Sequence, residues 1–140
     1  MKRTLTILFL FVLGGLQAQT IFGKWKTRND ETGKPNSIIE IYKEGDEING
    51  KVVKILKESD RDRICENCEG ELKNKPVEGL ELMTGLKQKD DEFSGGIITD
   101  PETGKEYRVK VWLDENNPNL LKVRGYIAFF YRTQTWERVQ

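Results

Sequence analysis

Glu106-Tyr107-Arg108-Val109-Lys110-Val111-Trp112-Leu113 places Tyr107, Val109, Val111 and Leu113 on one face of an extended chain and Arg108, Lys110 and Trp112 on the other. Successive side chains of a strand point to opposite faces, so this alternation marks a half-buried β-strand. No comparable stripe of helical period occurs in the chain. Outward from this stretch, further short apolar runs are bounded by Gly, Asn, Asp and Pro: Phe22–Thr27, Ser37–Glu44, Ile48–Leu56, Gly79–Leu86, Phe93–Thr99, Leu120–Tyr126 and Thr133–Val139. Together with Glu106–Leu113 they predict an all-β fold, an eight-stranded antiparallel up-and-down barrel.

The connections are as informative as the strands. Asp30-Glu31-Thr32-Gly33-Lys34 and Asp100-Pro101-Glu102-Thr103-Gly104-Lys105 both contain Glu-Thr-Gly-Lys. In each, the Asp is expected to cap the turn and the Gly to take its positive φ. The flanking strands do not match, so similar turn demands explain the likeness better than duplication. Gly95-Gly96 within a strand reads as a bend or bulge, with close approach of backbone to a ligand as the alternative. Lys89-Asp90-Asp91-Glu92 lacks the ligand spacing of a calcium loop and reads as a solvated turn. Lys54–Arg63 is compatible with a short helix but carries no apolar face.

Lys57–Val77 breaks the rhythm as a long charged loop carrying Cys65-Glu66-Asn67-Cys68. Loops of this length are frequently binding elements or lids. A local disulfide is the expected state of Cys65 and Cys68. A metal site completed by carboxylates, a redox-active pair and free thiols are the competing readings, and the βαβ setting of a thioredoxin-like pair is missing.

The chain has 140 residues, 23 Lys+Arg, 23 Asp+Glu and no His. This length suits one domain. The charge balance presents no broad basic face, so no nucleic-acid partner is expected. Lack of His excludes Ser-His-Asp and Cys-His catalysis and every imidazole-bound zinc site. No catalytic residue, metal ligand or cofactor is assigned, and the protein is expected not to be an enzyme. Lys2 and Arg3 precede an apolar run from Leu5 to Leu13 and then Gly14-Gly15-Leu16-Gln17-Ala18. This pattern predicts a signal peptide over residues 1–18, cleaved after Ala18, with residues 19–140 as the single domain. The run is too short for a membrane span, which needs about 20 apolar residues. Export to an oxidising periplasmic or extracellular space follows, and it favours the disulfide.

A closed barrel must pair its first and last strands. That pairing brings Gly23-Lys24-Trp25 beside Thr135-Trp136-Glu137-Arg138 and makes an Arg-on-Trp stack available across the seam. Gly23, Trp25, Trp136 and Arg138 are therefore read as structural. Lys122, Arg124 and Tyr126 share one strand face, as do Glu40 and Tyr42. Pointing inward, these faces make a polar-aromatic cavity in which Arg124 fixes a carboxylate. Pointing outward, they leave small apolar residues to fill the core. Tyr42, Met83, Trp112, Arg124 and Tyr126 are the candidate ligand contacts.

The ordered set Gly23-x-Trp25, Ile39-Glu40-Ile41-Tyr42, Gly50-Lys51-Val52-Val53, Cys65-x-x-Cys68 and Pro76-Val77-Glu78-Gly79-Leu80 continues through Gly95-Gly96-Ile97-Ile98-x-Asp100-Pro101-x-x-Gly104-Lys105-x-Tyr107. It ends with Leu121-x-Val123-Arg124-Gly125-Tyr126 and Thr133-Gln134-Thr135-Trp136-x-Arg138. Across essentially the whole mature chain this resembles the exported bacterial proteins of domain-of-unknown-function family 2147. The resemblance implies a lipocalin-like eight-stranded barrel in a periplasmic or secreted setting, with no established ligand. Phe129-Phe130-Tyr131 departs from the smaller, Gly-rich connection expected there, and is read as a plug for one barrel end or an exposed contact surface, the plug preferred. The leading functional expectation is a binding barrel for one small hydrophobic or amphipathic molecule. The alternative is a cell-envelope structural or protein-interaction module with a filled core, acting through the Cys loop or the Phe129–Tyr131 patch, its protein partner unidentified.

Overall fold

Alternating apolar residues give most strands a buried face, and closing the sheet on itself buries these faces against one another and removes its edges. A computed structural model describes residues 20–140. The expected signal peptide and its cleavage point after Ala18 lie outside the described residues. The strands are β1 (Gly23–Arg28), β2 (Pro35–Glu44), β3 (Glu47–Ile55), β4 (Glu81–Lys89), β5 (Glu92–Thr99), β6 (Glu106–Leu113), β7 (Leu120–Ile127) and β8 (Phe130–Arg138). Each pairs antiparallel with the next. The cylinder closes through Trp25↔Arg138 and Lys26↔Glu137 between β1 and β8. This is the all-β up-and-down barrel that the alternating runs predict.

One half of the barrel is solid. Ile21, Trp25, Ile41, Met83, Leu86, Val111 and Leu121 are buried there. Trp25 Nε1 donates to the Ile21 carbonyl at 2.8 Å, so the indole is satisfied as well as buried. The Arg138 guanidinium lies 4.3 Å from the Trp25 ring centre. It also donates to the carbonyls of Thr20 (2.7 Å), Pro118 (3.2 Å) and Phe22 (3.3 Å), while its buried Nε has no acceptor among the described residues. Gly23 takes φ +117° beside this guanidinium. Side chain and backbone thus tie the N-terminal segment, the β6–β7 turn and β8 together at this end.

Bulges tune the wall. The β3–β4 register passes from Gly50↔Met83 to Lys51↔Glu81, so Leu82 is the extra residue and both Leu82 and Met83 are buried. The β5–β6 register shifts between Phe93 and Gly96, with Gly95 at φ +79°. A Cβ on Gly96 would lie 2.5 Å from the Thr84 carbonyl oxygen. The close approach there is to the backbone of β4, so the Gly pair makes a bulge and not a ligand contact. Lys54–Arg63 forms no longer helix: Lys54 and Ile55 finish β3, and a single 3-10 turn covers Glu58–Asp60. Among the described residues no helix is long and apolar enough to cross a membrane.

Candidate functional site

The β1–β2, β3–β4, β5–β6 and β7–β8 connections ring the other end of the barrel, and the interior behind them is hollow. A cavity of about 390 Å³ opens here. Its walls include Ile39, Val52, Ile55, Val77, Leu82, Ile98, Val123 and Trp136. The volume falls in the lower part of the range of about 300–1,000 Å³ typical of small-molecule sites.

Polar groups are few on the walls and concentrated at the rim. Deep on the wall, Thr27 and Ser37 share a hydrogen bond of 2.8 Å and are both buried. Trp136 Nε1 donates to Gln134 Oε1 at 3.0 Å, and Gln134 Nε2 donates to Asp30 Oδ2 at 2.7 Å. Arg132 pairs with the same Asp30 oxygen at 3.0 Å. A second rim pair, Arg63–Glu102, spans 3.3 Å. Tyr107 also lines the hollow, and its ring lies over Gly125, where an added Cβ would be 3.3 Å from Tyr107 Cβ. Gly125 is therefore the small residue that gives this ring its place.

The two Glu-Thr-Gly-Lys turns explain why Asp30 is available. In the β5–β6 turn Asp100 caps as expected, accepting from the Glu102 amide at 2.9 Å, and Gly104 takes φ +72°. In the β1–β2 turn the cap is Asn29, not Asp30: the Glu31 and Thr32 amides donate to Asn29 Oδ1 at 2.9 and 3.0 Å. The capping position lies one residue earlier than the Asp reading placed it. The carboxylate so released turns to β8.

The Lys57–Val77 segment is held across one side of the rim. Ile64 and Pro76 bridge, and the Cys65 amide donates to the Lys75 carbonyl at 2.8 Å. Cys65 and Cys68 are buried and sit at disulfide distance, with Cα atoms 5.3 Å apart. Asn67 Nδ2 donates to the Glu102 carbonyl at 2.8 Å. A Cβ on Gly104 would lie 1.8 Å from the Asn67 carbonyl oxygen, so the loop and the β5–β6 turn are in direct backbone contact. Asp60, Arg63 and Val77 bring this loop into the cavity wall.

None of the five ligand contacts proposed from the sequence lines this hollow. Met83 is buried in the solid half, where its Cε would meet a Cβ at Gly50 at 2.9 Å. Tyr42, Trp112, Arg124 and Tyr126 alternate with the buried Ile41, Val111, Leu121 and Val123, so they face outward. The physical reason is desolvation. Turning Lys122 and Arg124 inward without partners would strand charges in a dry interior. On the outside, Arg124 stacks over Tyr131 at 4.4 Å and Trp112 at 5.0 Å. Tyr42 donates to Glu81, and burial first, then that bond, push its phenol well above the ordinary tyrosine value. On the seam, the hydrogen bond between Arg28 and Glu137 holds the Glu137 carboxyl below its ordinary value and the Arg28 guanidinium above its own.

Of Phe129-Phe130-Tyr131, the latter two line the mouth of the cavity, whereas Phe129 stands clear of it and plugs nothing. Ile127 pairs with Phe130, and Ala128-Phe129 form a tight turn that holds Phe129 99% exposed beside the mouth. β8 consequently starts at Phe130, three residues before the predicted Thr133. Sequence reasoning missed Asp30, Tyr107, Arg132 and Gln134. Tyr107 was within reach, since it shares the apolar face of β6 with Val109 and Val111. The bond from Gln134 to Asp30 joins residues 104 apart and leaves no local trace.

Comparison with known proteins accords with this geometry. A family model described as an uncharacterized protein conserved in bacteria (DUF2147) matches residues 23–138. Among curated proteins none matches the chain. Among solved structures, protein HP1028 from the human pathogen Helicobacter pylori, described as belonging to the lipocalin family, is similar with TM-score 0.75 and 18% identity. The likeness covers 88% of this chain and 85% of that one. At this identity it bears on the fold alone.

Proposed function

The chain belongs to the DUF2147 family, and from that membership and the hollow barrel we propose an exported, non-enzymatic binding protein for one small amphipathic molecule. The observation that carries this reading is the division of the cavity into apolar walls and a charged rim. An apolar tail lies against Ile39, Val52, Leu82, Ile98 and Val123, and a polar head meets Arg132, Asp30 and Arg63. Each methylene taken from water contributes about 0.8 kcal/mol, so a tail of roughly eight carbons supplies about 6 kcal/mol before the cost of association. Micromolar affinity corresponds to about 8 kcal/mol net, so the rim has to supply the remaining ~2 kcal/mol and offset the cost of association. Lys2, Arg3 and the apolar run behind them support export, as does the pairing of Cys65 with Cys68.

Native mass spectrometry and titration with a fluorescent fatty acid, read through Trp136, test the reading. A co-purifying small molecule, or saturable quenching with a raised melting temperature, is the expected result. An empty protein in every preparation, with no melting shift across fatty acids, lysophospholipids and apolar metabolites, would remove it. The processed form recovered from an exporting host is expected to begin at Gln19. The alternative reading, a cell-envelope interaction module, requires a filled core, which the mouth half of this barrel lacks.

A further inference from the structure

The β7–β8 hairpin is built at odds with the economy of the rest of the fold. Its turn residue Ala128 takes φ +50°, a conformation that suits Gly or Asn. The strain presents Phe129 at 99% exposure, flanked by Phe130 at 76% and Tyr131 at 63%. Tyr131 packs beneath Arg124 and Phe130 borders the cavity mouth, but Phe129 at 99% exposure buries almost nothing in the fold and works against solubility.

Immediately behind the tip lies a cationic, aromatic belt. Arg108, Lys110, Lys122 and Arg124 share the outward face of β6 and β7 with Glu106. Lys110 and Lys122 are paired, with Glu92 and Asp114 respectively. Arg108 and Arg124 form no ion pair among the described residues. Arg108 instead lies over Tyr126 at 5.9 Å, and Arg124 over Tyr131 and Trp112. The neighbouring rim carboxylates, Asp30 and Glu102, are already engaged by Arg132 and Arg63. Arg108 lies across from Tyr126, two residues before Ala128, and Arg124 lies four residues before it, so their backbone levels are about 7 and 13 Å behind the turn.

We propose that the β7–β8 tip docks onto the surface of an anionic lipid bilayer, with Phe129 in the acyl boundary and Arg108 and Arg124 at the headgroups. Interfacial elements bury apolar side chains about 5–10 Å deep and hold aromatic and cationic residues at headgroup level, the order in which Phe129 and the two arginines follow one another here. A bilayer also fits the shape of the tip. Because Phe130 and Tyr131 are already partly covered, docking hides less than the roughly 450–750 Å² of three whole rings, whereas a stable protein interface takes about 800 Å² from each partner. The docked tip places the cavity mouth against the membrane, so that an amphipathic molecule passes between bilayer and barrel without crossing open water.

Vesicle co-sedimentation with the chain from Gln19 onward, which contains every residue of the closed barrel, tests this. The protein is expected to bind phosphatidylglycerol–phosphatidylcholine vesicles and to bind phosphatidylcholine alone at least tenfold more weakly. Phe129→Ser should lower binding at least tenfold. Arg108→Gln with Arg124→Gln should abolish the preference for the anionic lipid. Phe129 is not part of the cavity wall, so fluorescent fatty-acid titration in vesicle-free buffer should be unchanged in Phe129→Ser. That titration separates failure of docking from failure of the ligand reading. Absence of vesicle binding, or equal binding by Phe129→Ser, overturns the proposal. A Phe129-dependent dimer without vesicle binding overturns it equally and assigns the tip to self-association.

Discussion

Arg138→Ala should destabilise the barrel by about 4 kcal/mol without affecting its cavity. The guanidinium stands 4.3 Å above a fully buried Trp25, and a desolvated stack of this kind contributes about 2 kcal/mol. The remainder comes from three carbonyl acceptors. Those of Thr20 and Phe22 are reached by water once the side chain is gone, so each costs the lower part of the usual net range of about 0.5–1.5 kcal/mol. That of Pro118 is partly buried and costs more. Typical domains are stable by about 5–15 kcal/mol, so the variant still folds but with little in reserve. Urea unfolding followed by far-ultraviolet circular dichroism should show a lowered midpoint at unchanged slope. Arg138→Lys keeps the charge but not the fork, and should cost about 2 kcal/mol. Fatty-acid affinity should stay within about twofold, because Arg138 lies at the solid end and outside the cavity wall. A cost under about 1 kcal/mol for Arg138→Ala, or the same cost in a Trp25→Leu background as in the unaltered chain, would refute the reasoning.

The paired turns offer an internal control. Gly104→Ala should cost about 2–4 kcal/mol and expose the Cys65–Cys68 loop to protease, since its Cβ would strike the Asn67 carbonyl at 1.8 Å. Gly33→Ala has nearly the same φ but nothing within 4 Å, so differential scanning calorimetry should find only about 1 kcal/mol lost. Gly125→Val should displace the Tyr107 ring into the hollow and weaken fatty-acid binding by roughly tenfold at unchanged circular dichroism, about 1.4 kcal/mol. Glu137 titrates below its ordinary value in the folded protein, so its pairing with Arg28 adds stability above the unfolded glutamate value of about 4.3, and that stability is lost as pH falls through the folded value. Melting temperature against pH should therefore have a flatter acid limb in Glu137→Gln, and an acid limb of equal slope would remove this account.

Local pattern made much of this protein legible. The alternation of Tyr107, Val109 and Val111 against Arg108, Lys110 and Trp112 marks a strand wherever that strand is placed. The Gly positions of the β1–β2 and β5–β6 turns follow from a positive φ that few other residues tolerate. Closure could be foreseen because an open edge at β1 and β8 is a liability that pairing removes. The absolute direction of the faces was harder, because period two separates two faces without saying which is inside. The charges of Lys122 and Arg124 carried that answer, since burying them without partners costs more than exposing Leu121 and Val123. Across the bulge at Leu82 even period two fails, and two neighbouring side chains are buried together.

What the sequence by itself determined is the set of strands, their apolar faces and the residues able to turn between them, each decided by a few neighbouring side chains. Tertiary structure alone decided that the interior is solid at Trp25 and hollow at Trp136. It also decided that Asp30 meets Gln134 and Arg132, and that Arg108 and Arg124 stand behind Phe129 stacked on aromatic rings and not in ion pairs. Those properties depend on contacts between residues as many as 118 positions apart, which exist only once the sheet has curved and closed. A local repeat records which face is dry, whereas the space left when such faces meet depends on all of them at once.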